Sequence, residues 1–153
     1  MKKVLSFVLV LTLVLGSFSM VFAASDTRSG SQLTDIADSA NADAIIANCD
    51  LGIITGYTDG SFKPEQSVTR AEFAAMLTRM LGVPDSALTG YAKTSFTDMS
   101  GYGWANSYIG FCEAKGIING YGDGTFGPGR TVTVNEAITM TLRAIGYTNN
   151  SSE

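Results

Sequence analysis

Two aspartates occupy the same place in two copies of a glycine-rich segment, and they are the first candidates for chemistry in this chain. The segment runs from Gly52 to Pro64 and returns from Gly116 to Pro128, at a spacing of 64 residues. Asp59 and Asp123 each precede a glycine, and an Asp-Gly pair favours a tight turn because the carboxylate bonds its own following backbone. The pattern predicts a turn that shapes the loop, with a binding loop as the alternative.

The ligand pattern of the segment excludes a calcium loop of the EF-hand type. With its glycine at Gly60, such a loop needs oxygen ligands at Thr55, Tyr57 and Asp59 and an acid at Gln66. Only Asp59 supplies a carboxylate. The segment is therefore not expected to hold calcium in this way.

An arginine in the first turn of a predicted helix is a candidate anion-binding residue. Thr69-Arg70-Ala71-Glu72 has the pattern of a capping box, in which Thr69 caps the helix and Glu72 reaches back to it. A cation here opposes the helix dipole, yet the free N–H groups of a helix start bind anions, and the arginine fork matches a carboxylate. Arg70 is interpreted either as half of an anion site or as a solvated surface arginine.

The single tryptophan, Trp104, stands at a predicted helix start after the glycine-containing Gly101-Tyr102-Gly103. A lone tryptophan often belongs to the core. An amphipathic ring beside glycines also suits stacking on a sugar ring. Both interpretations of Trp104 stay open from the sequence.

The composition argues against an enzyme. The chain has no histidine, which removes the usual general base and the commonest metal ligand. Its two cysteines, Cys49 and Cys112, form no C-x-x-C pair that would indicate zinc. They occupy equivalent positions on apolar helix faces, so buried free thiols are favoured, with a disulfide formed by pseudo-symmetric packing as the alternative. No cofactor and no metal are expected.

The N-terminus has the pattern of a secretion signal. Basic Lys2 and Lys3 precede an apolar run to Val21, and Val21-Phe22-Ala23 provides small residues for cleavage after Ala23; a retained membrane anchor is the alternative. Cleavage would leave 8 basic and 14 acidic residues, a net charge of −6. An acidic protein is a poor partner for nucleic acid and for an anionic membrane surface.

Each repeat is predicted to fold as helix, glycine-rich loop, helix. The first helices present apolar residues at i, i+3, i+4 and i+7, and Gly52 and Gly116 are natural stops for them. The second helices begin at the capping box and at its counterpart, Thr133-Val134-Asn135-Glu136. The expected organisation is a signal peptide (1–23), a flexible tail (24–32), a first repeat (33–82), a linker (83–94), a second repeat (95–147) and a polar tail (148–153).

The motifs together resemble S-layer homology repeats, the cell-wall-anchoring modules of bacterial envelopes. The resemblance rests on the G-I-I-x-G-Y-x-D-G-[ST]-F-x-P loop, on V-T-R-A-E at 68–72, and on F-T-D at 96–98 with Trp104 and Ala105. It implies a mostly α-helical fold in which repeats, usually three, assemble with pseudo-threefold symmetry. It also implies grooves between repeats that bind anionic secondary cell-wall polymers, often through a pyruvylated amino sugar. Under this resemblance the ligand-binding candidates are Arg70, Asp98 and Trp104. It also implies that the glycine-rich loops support the groove, through Gly56, Tyr57, Asp59, Gly60, Gly120, Tyr121, Asp123 and Gly124.

This chain departs from the family pattern in complementary ways. The first repeat has Asn41 where the second has Trp104, the second has Val134 where the first has Arg70, and no third repeat is present. The sequence therefore predicts one composite groove in a secreted, non-catalytic wall-binding protein. The alternative is an envelope assembly protein whose repeats pack against other S-layer homology proteins. Two repeats cannot close a three-lobed assembly, so self-association or such pairing is expected.

Overall fold

The computed structural model describes residues 30–147. The predicted signal peptide, most of the N-terminal tail and the polar C-terminal tail lie outside this range. The described part is helical without a sheet, which confirms the mostly α prediction. Its α-helices are α1 (Ala42–Asp50), α2 (Arg70–Met80), α3 (Asn106–Ala114) and α4 (Val134–Ala144), with short 3-10 helices at Gly30–Gln32, Asp85–Tyr91 and Gly103–Ala105. None of the helices in residues 30–147 has the length and apolar character to cross a membrane.

Reciprocal caps start the second helix of each repeat, as the sequence predicted. At α2, the Thr69 hydroxyl accepts from the Glu72 backbone N–H at 3.2 Å, and the Glu72 carboxylate accepts from the Thr69 N–H at 2.7 Å. At α4, Thr133 and Glu136 make the same pair of bonds at 3.3 and 2.8 Å. Each cap satisfies two N–H groups that a helix start otherwise leaves without partners.

The first helices of the two repeats, α1 and α3, differ from the second helices in how they start and end. Neither α1 nor α3 has a side-chain cap, and α3 instead continues from the 3-10 turn at Gly103–Ala105. Both end at the predicted glycines, where Gly52 has φ of 70° and Gly116 has φ of 67°. Glycine adopts this left-handed conformation without the steric cost that a Cβ imposes.

The chain folds as two compact units, and their boundary falls inside the first repeat, between Ser67 and Val68. The first unit contains α1, whose C-terminal Asp50 accepts a bond from the Gly30 N–H at 3.1 Å. The second unit contains α2, α3 and α4. The sequence repeat therefore differs from the packing unit, because the second helix of the first repeat packs with the second repeat.

The core of the second unit is built where α2 crosses α3 at close range. The Cys112 thiol donates to the Ala74 carbonyl at 3.6 Å and lies 3.3 Å from the Thr78 hydroxyl. Small residues on α2 permit this approach. The most deeply buried apolar residues of this unit are Ala71, Phe73, Ala74, Ala75, Leu77, Leu88, Ala105, Ile109, Cys112, Ile117, Ile118, Phe126 and Ala137.

The segment predicted as a linker contains an ordered element that covers α3. Its 3-10 helix buries Leu88, and Tyr91 packs edge-on against Phe111 with ring centroids 5.3 Å apart. Asp85 accepts a hydrogen bond from the Tyr108 hydroxyl at 2.9 Å. Gly110 allows this contact, since a Cβ there would collide with the carbonyl oxygen of Tyr91.

Both cysteines are free and buried, as the sequence favoured. Burial raises the pKa of each thiol to about 11, so little of the reactive thiolate exists near pH 8. We expect the native protein to react slowly with a thiol reagent at pH 8, and the protein denatured without reductant to release two free thiols per chain. A denatured monomer that lacks free thiols would contradict this result.

Candidate functional site

The turn aspartates are used inside their own loops. Asp59 accepts from the Ser61 N–H at 2.9 Å and the Ser61 hydroxyl at 2.6 Å, and Asp123 does the same with Thr125 at 2.9 and 2.6 Å. These bonds lower the pKa of both carboxyls. The turn-shaping interpretation fits this geometry.

The glycines and tyrosines of the loops hold the same shape in both repeats. The Tyr57 N–H donates to the Ser61 carbonyl at 2.8 Å, and the Tyr121 N–H donates to the Thr125 carbonyl at 2.9 Å. Gly60 and Gly124 adopt φ of 87° and 84° at the turns. Gly56 also has positive φ, and Gly120 lies against the Phe96 ring. No group of three or more potential metal-ligating side chains occurs in residues 30–147.

A second aspartate holds the far end of each loop. Asp98 accepts from the N–H groups of Phe126 and Gly127 at 2.9 and 2.7 Å. In the first unit Asp35 does the same for Phe62 and Lys63 at 2.7 and 2.8 Å, and these backbone bonds lower its pKa. Sequence reasoning missed Asp35, although Leu33-Thr34-Asp35 aligns with Phe96-Thr97-Asp98.

The side chain of Arg70 is buried inside the second repeat, at 2% exposure. Its guanidinium donates to the Phe126 carbonyl at 2.8 Å, to the Asn119 carbonyl at 3.2 Å and to the Glu136 carboxylate at 2.6 Å. It also lies 4.4 Å from the centre of the Phe126 ring and 4.8 Å from that of Tyr121. The group therefore has internal partners on every nitrogen.

The start of α2 is likewise closed by the protein's own backbone. The Arg70 N–H donates to the Arg130 carbonyl at 2.9 Å, and the Ala71 N–H donates to the Pro128 carbonyl at 3.0 Å. The sequence interpretations, a site for an external anion or a solvated arginine, both differ from this arrangement. The anion that Arg70 binds here is Glu136. Its role in ligand binding stays a prediction, and these contacts argue for a structural role.

Glu136 both caps α4 and forms an ion pair with Arg70, whereas the sequence indicated only the cap. One carboxylate oxygen closes the cap on Thr133, and the other pairs with Arg70 and accepts from the Tyr121 hydroxyl at 3.4 Å. Partial burial alone would raise the pKa of Glu136, but bonds from Thr133 and the charge of Arg70 outweigh it and the pKa is lowered. Sequence reasoning found the cap and missed the ion pair, since its partner lies 66 residues away.

The three residues predicted to bind the ligand, Arg70, Asp98 and Trp104, differ in their burial and in their contacts. Phe126 joins two of them, since its N–H bonds Asp98 and its carbonyl bonds Arg70. Trp104 is 53% exposed, which excludes its core interpretation. Its 3-10 turn packs beside α2.

Sequence reasoning also missed an exposed aromatic and basic pair beside this loop. The Tyr121 ring is 43% exposed and has the guanidinium groups of Arg70 and Arg130 each 4.8 Å from its centre. Arg130 is exposed. Tyr102 lies against Gly129, which brings the segment that carries Trp104 beside the turn that carries Arg130. The three exposed side chains Trp104, Tyr121 and Arg130 are called the aromatic–basic surface below.

A family model described as the S-layer homology domain matches residues 32–74 and 95–133. The matched ranges contain both copies of the glycine-rich loop and the aspartates that hold them. No solved structure matches the chain significantly.

Curated relatives align with nearly all of the chain but are much longer. A "Surface layer protein" of Brevibacillus choshinensis is 33% identical over 96% of this chain and 13% of its own length. A "Middle cell wall protein" of Brevibacillus brevis is 32% identical over 96% of this chain and 14% of its own length. A third relative matches less of the chain: a "Cellulosome-anchoring protein" of Acetivibrio thermocellus is 33% identical over 59% of this chain and 20% of its own length.

Replacing Arg70 should destabilise the second unit. Arg70→Ala leaves the Glu136 charge and two carbonyls without their partner, which we expect to cost on the order of 3 kcal/mol, the lower end for a broken buried pair. Arg70→Lys should recover only part of this loss, because an ammonium lacks the planar fork. Urea unfolding followed by circular dichroism measures both.

The matched control is Arg143→Ala, which removes the same charge from a partly exposed position on α4. We expect a change of less than about 0.5 kcal/mol for this variant. An Arg70→Ala protein as stable as the parent would contradict a structural role for the arginine.

Stability should fall in acid because Asp35, Asp59, Asp123 and Glu136 have lowered pKa values in the folded protein. Their contribution is fully present above the ordinary pKa values of 3.8 for Asp and 4.5 for Glu, and it is lost as the pH falls through the lower pKa values of the folded protein. Urea unfolding at several pH values from 7 to 3 should show the decline begin below about pH 5.

Glu136→Gln removes one of these titrating groups and should make the decline with pH shallower. The control is Glu65→Gln at an exposed position, which should leave the slope unchanged. A slope equal to the parent's in Glu136→Gln would show that this carboxyl does not contribute to the acid sensitivity.

Proposed function

Because the chain belongs to the S-layer homology domain family, we propose that it is a non-catalytic bacterial cell-surface protein that binds a cell-wall glycan without a covalent link. The observation that carries this proposal is the match of both repeats to the family. The names of its relatives, a surface layer protein, a cell wall protein and an anchoring protein, support a location at the cell surface.

The proposed ligand is an anionic secondary cell-wall polymer, such as one that carries a pyruvylated sugar. The aromatic–basic surface supports this choice. The exposed ring of Trp104 can cover a sugar face, and the Arg130 fork can pair with a carboxylate. In residues 30–147 no carboxylate lies within ion-pair distance of Arg130, so its charge is available to a ligand.

Arg70 and Asp98 serve this surface as positioning residues in our proposal. Asp98 fixes the backbone of Phe126 and Gly127, and Arg70 supports the underside of the Tyr121 ring. The proposed site is still built from both repeats, as the sequence predicted, because Arg70 comes from the first repeat and Tyr121 from the second. In this proposal Arg130, and not Arg70, makes the direct contact with the polymer.

Two other functional classes are less well supported. An enzyme would need a general base, and the chain lacks histidine while caps and turns engage Asp59, Asp98, Asp123 and Glu136. An assembly protein that packs against other S-layer homology proteins is favoured by one observation, an exposed apolar stripe on α4.

Binding to purified walls tests the proposal. The protein is incubated with walls before and after chemical removal of the secondary polymer, and the bound fraction is measured by sedimentation. Retention on intact walls and loss on stripped walls is the expected result. Equal retention on both would contradict polymer binding, and retention only on walls that carry a protein layer would favour the assembly function.

Substitutions on the aromatic–basic surface should weaken wall binding. Arg130→Ala removes a charge-assisted contact worth about 1.5–3 kcal/mol, so the Kd should rise at least tenfold, since about 1.4 kcal/mol is one decade. Trp104→Ala should have a similar effect through loss of stacking area. Binding isotherms on intact walls provide the measurement.

Matched controls separate binding from folding. Arg143→Ala removes the same charge elsewhere, and Trp104→Phe keeps an aromatic face, so both should bind within about threefold of the parent, which corresponds to less than 1 kcal/mol. Each variant is first shown to unfold at the parental urea concentration. If a folded Arg130→Ala protein binds walls with the parent's affinity, the proposed contact between Arg130 and the polymer is contradicted.

A further inference from the structure

The segment 97–104 runs alongside the loop 124–130 of the same repeat. The Thr97 N–H donates to the Gly124 carbonyl at 3.0 Å. Further along, Asp98 accepts from two consecutive N–H groups of the loop at 2.9 and 2.7 Å. These contacts follow the same order along both stretches of chain, so the two stretches keep one register toward their C-terminal ends.

Tyr102 makes the next contact in this register, against Gly129. A Cβ at Gly129 would collide with the Tyr102 hydroxyl oxygen and lie 3.0 Å from Cζ of the same ring. Glycine therefore lets the hydroxyl lie directly over this backbone. The first repeat has Glu65 at the position of Gly129 and Ser39 at the position of Tyr102, so the contact is specific to the second repeat.

The Tyr102 hydroxyl is a polar group that the fold does not use. The residue is partly exposed, and within residues 30–147 its hydroxyl neither bonds another group nor is buried. By contrast, the hydroxyls of Tyr57, Tyr108 and Tyr121 each bond a neighbouring side chain. The Tyr102 hydroxyl is thus available as a hydrogen-bond donor.

This donor lies next to the aromatic–basic surface in both stretches of chain. Arg130 directly follows Gly129. Tyr102 precedes the 3-10 helix that carries Trp104, and its carbonyl accepts from the Ala105 N–H at 2.9 Å. The hydroxyl and the guanidinium are therefore two hydrogen-bond donors at one turn, and two such donors can bond the two oxygens of one acidic group.

We propose that Tyr102 binds the polymer directly and donates its hydroxyl to the same acidic group that Arg130 pairs with. Gly129 acts as a positioning residue, since its missing Cβ leaves room for the hydroxyl. The inference rests on the proposed function and specifies how that surface selects its ligand. A single exposed cation attracts any anion, whereas two donors held at one turn require an acidic group that presents one oxygen to each.

Tyr102→Phe isolates the hydroxyl, because it keeps the ring over Gly129. The hydroxyl has no partner within residues 30–147, so the variant should unfold at the parental urea concentration. Its Kd for intact walls should rise about tenfold or more, as expected for a lost hydrogen bond to a charged group. Tyr91→Phe is the matched control and should bind like the parent, since Tyr91 is likewise partly exposed and lies in the 3-10 helix over α3.

A double variant and a salt series show whether the hydroxyl acts on the ligand. Tyr102→Phe combined with Arg130→Ala should raise the Kd by less than the product of the two single changes, because both donors bond one group. Added salt should weaken the parent and Tyr102→Phe by the same factor, since the lost group is uncharged, and should weaken Arg130→Ala less.

Several results would overturn this contact: parental affinity in a folded Tyr102→Phe protein, an equal loss in Tyr91→Phe, independent effects in the double variant, or a salt dependence that Tyr102→Phe alters. If Arg130→Ala still weakens binding in that case, the proposed function stands without the Tyr102 contact. If the parent is retained equally on intact and stripped walls, the proposed function fails and this contact fails with it.

Discussion

The second unit depends on the burial of one positive charge. Taking a guanidinium out of water costs several kcal/mol unless each donor is paired, and Arg70 meets this condition only when both the glycine-rich loop of the second repeat and α4 are in place. The Asn119 carbonyl, the Phe126 carbonyl and the Glu136 carboxylate belong to the loop and to α4. Arg70 itself begins α2. The requirement to pair this charge therefore fixes the loop and two helices relative to one another.

This constraint also explains why the repeats have diverged. A residue like Arg70 needs a following loop to supply its acceptors, and the first repeat has one in the second. Its counterpart, Val134, has no such loop among the described residues, and an arginine there would lack these partners. Apolar residues replace the whole side of the helix instead. The exchange leaves the second repeat with exposed apolar residues on this side of α4, where the first repeat has a buried ion pair.

Local features of this fold could be predicted from the sequence, and long-range partners could not. The capping boxes, the Asp-Gly turns and the glycine stops depend on residues within a few positions, so their chemistry is visible in the chain. The burial of Arg70 depends on acceptors 49, 56 and 66 residues away, and a capping pattern cannot reveal them. Arg130 was missed for the same reason, because its importance comes from Tyr121 and from the segment that carries Trp104.

The two repeats also differ in the residues that they leave exposed beside their loops. In the first repeat the cation over the tyrosine ring is Lys63, 4.2 Å from the centre of Tyr57, and Asp59 lies 3.8 Å from its ammonium group. That charge is partly neutralised within the loop. In the second repeat Gly127 replaces the lysine, and Arg130 covers Tyr121 from the following turn, where residues 30–147 place no carboxylate beside it. Because Asn41 also replaces Trp104 in the first repeat, the shared aspartates build both loops while the exposed ring and the available charge belong to the second.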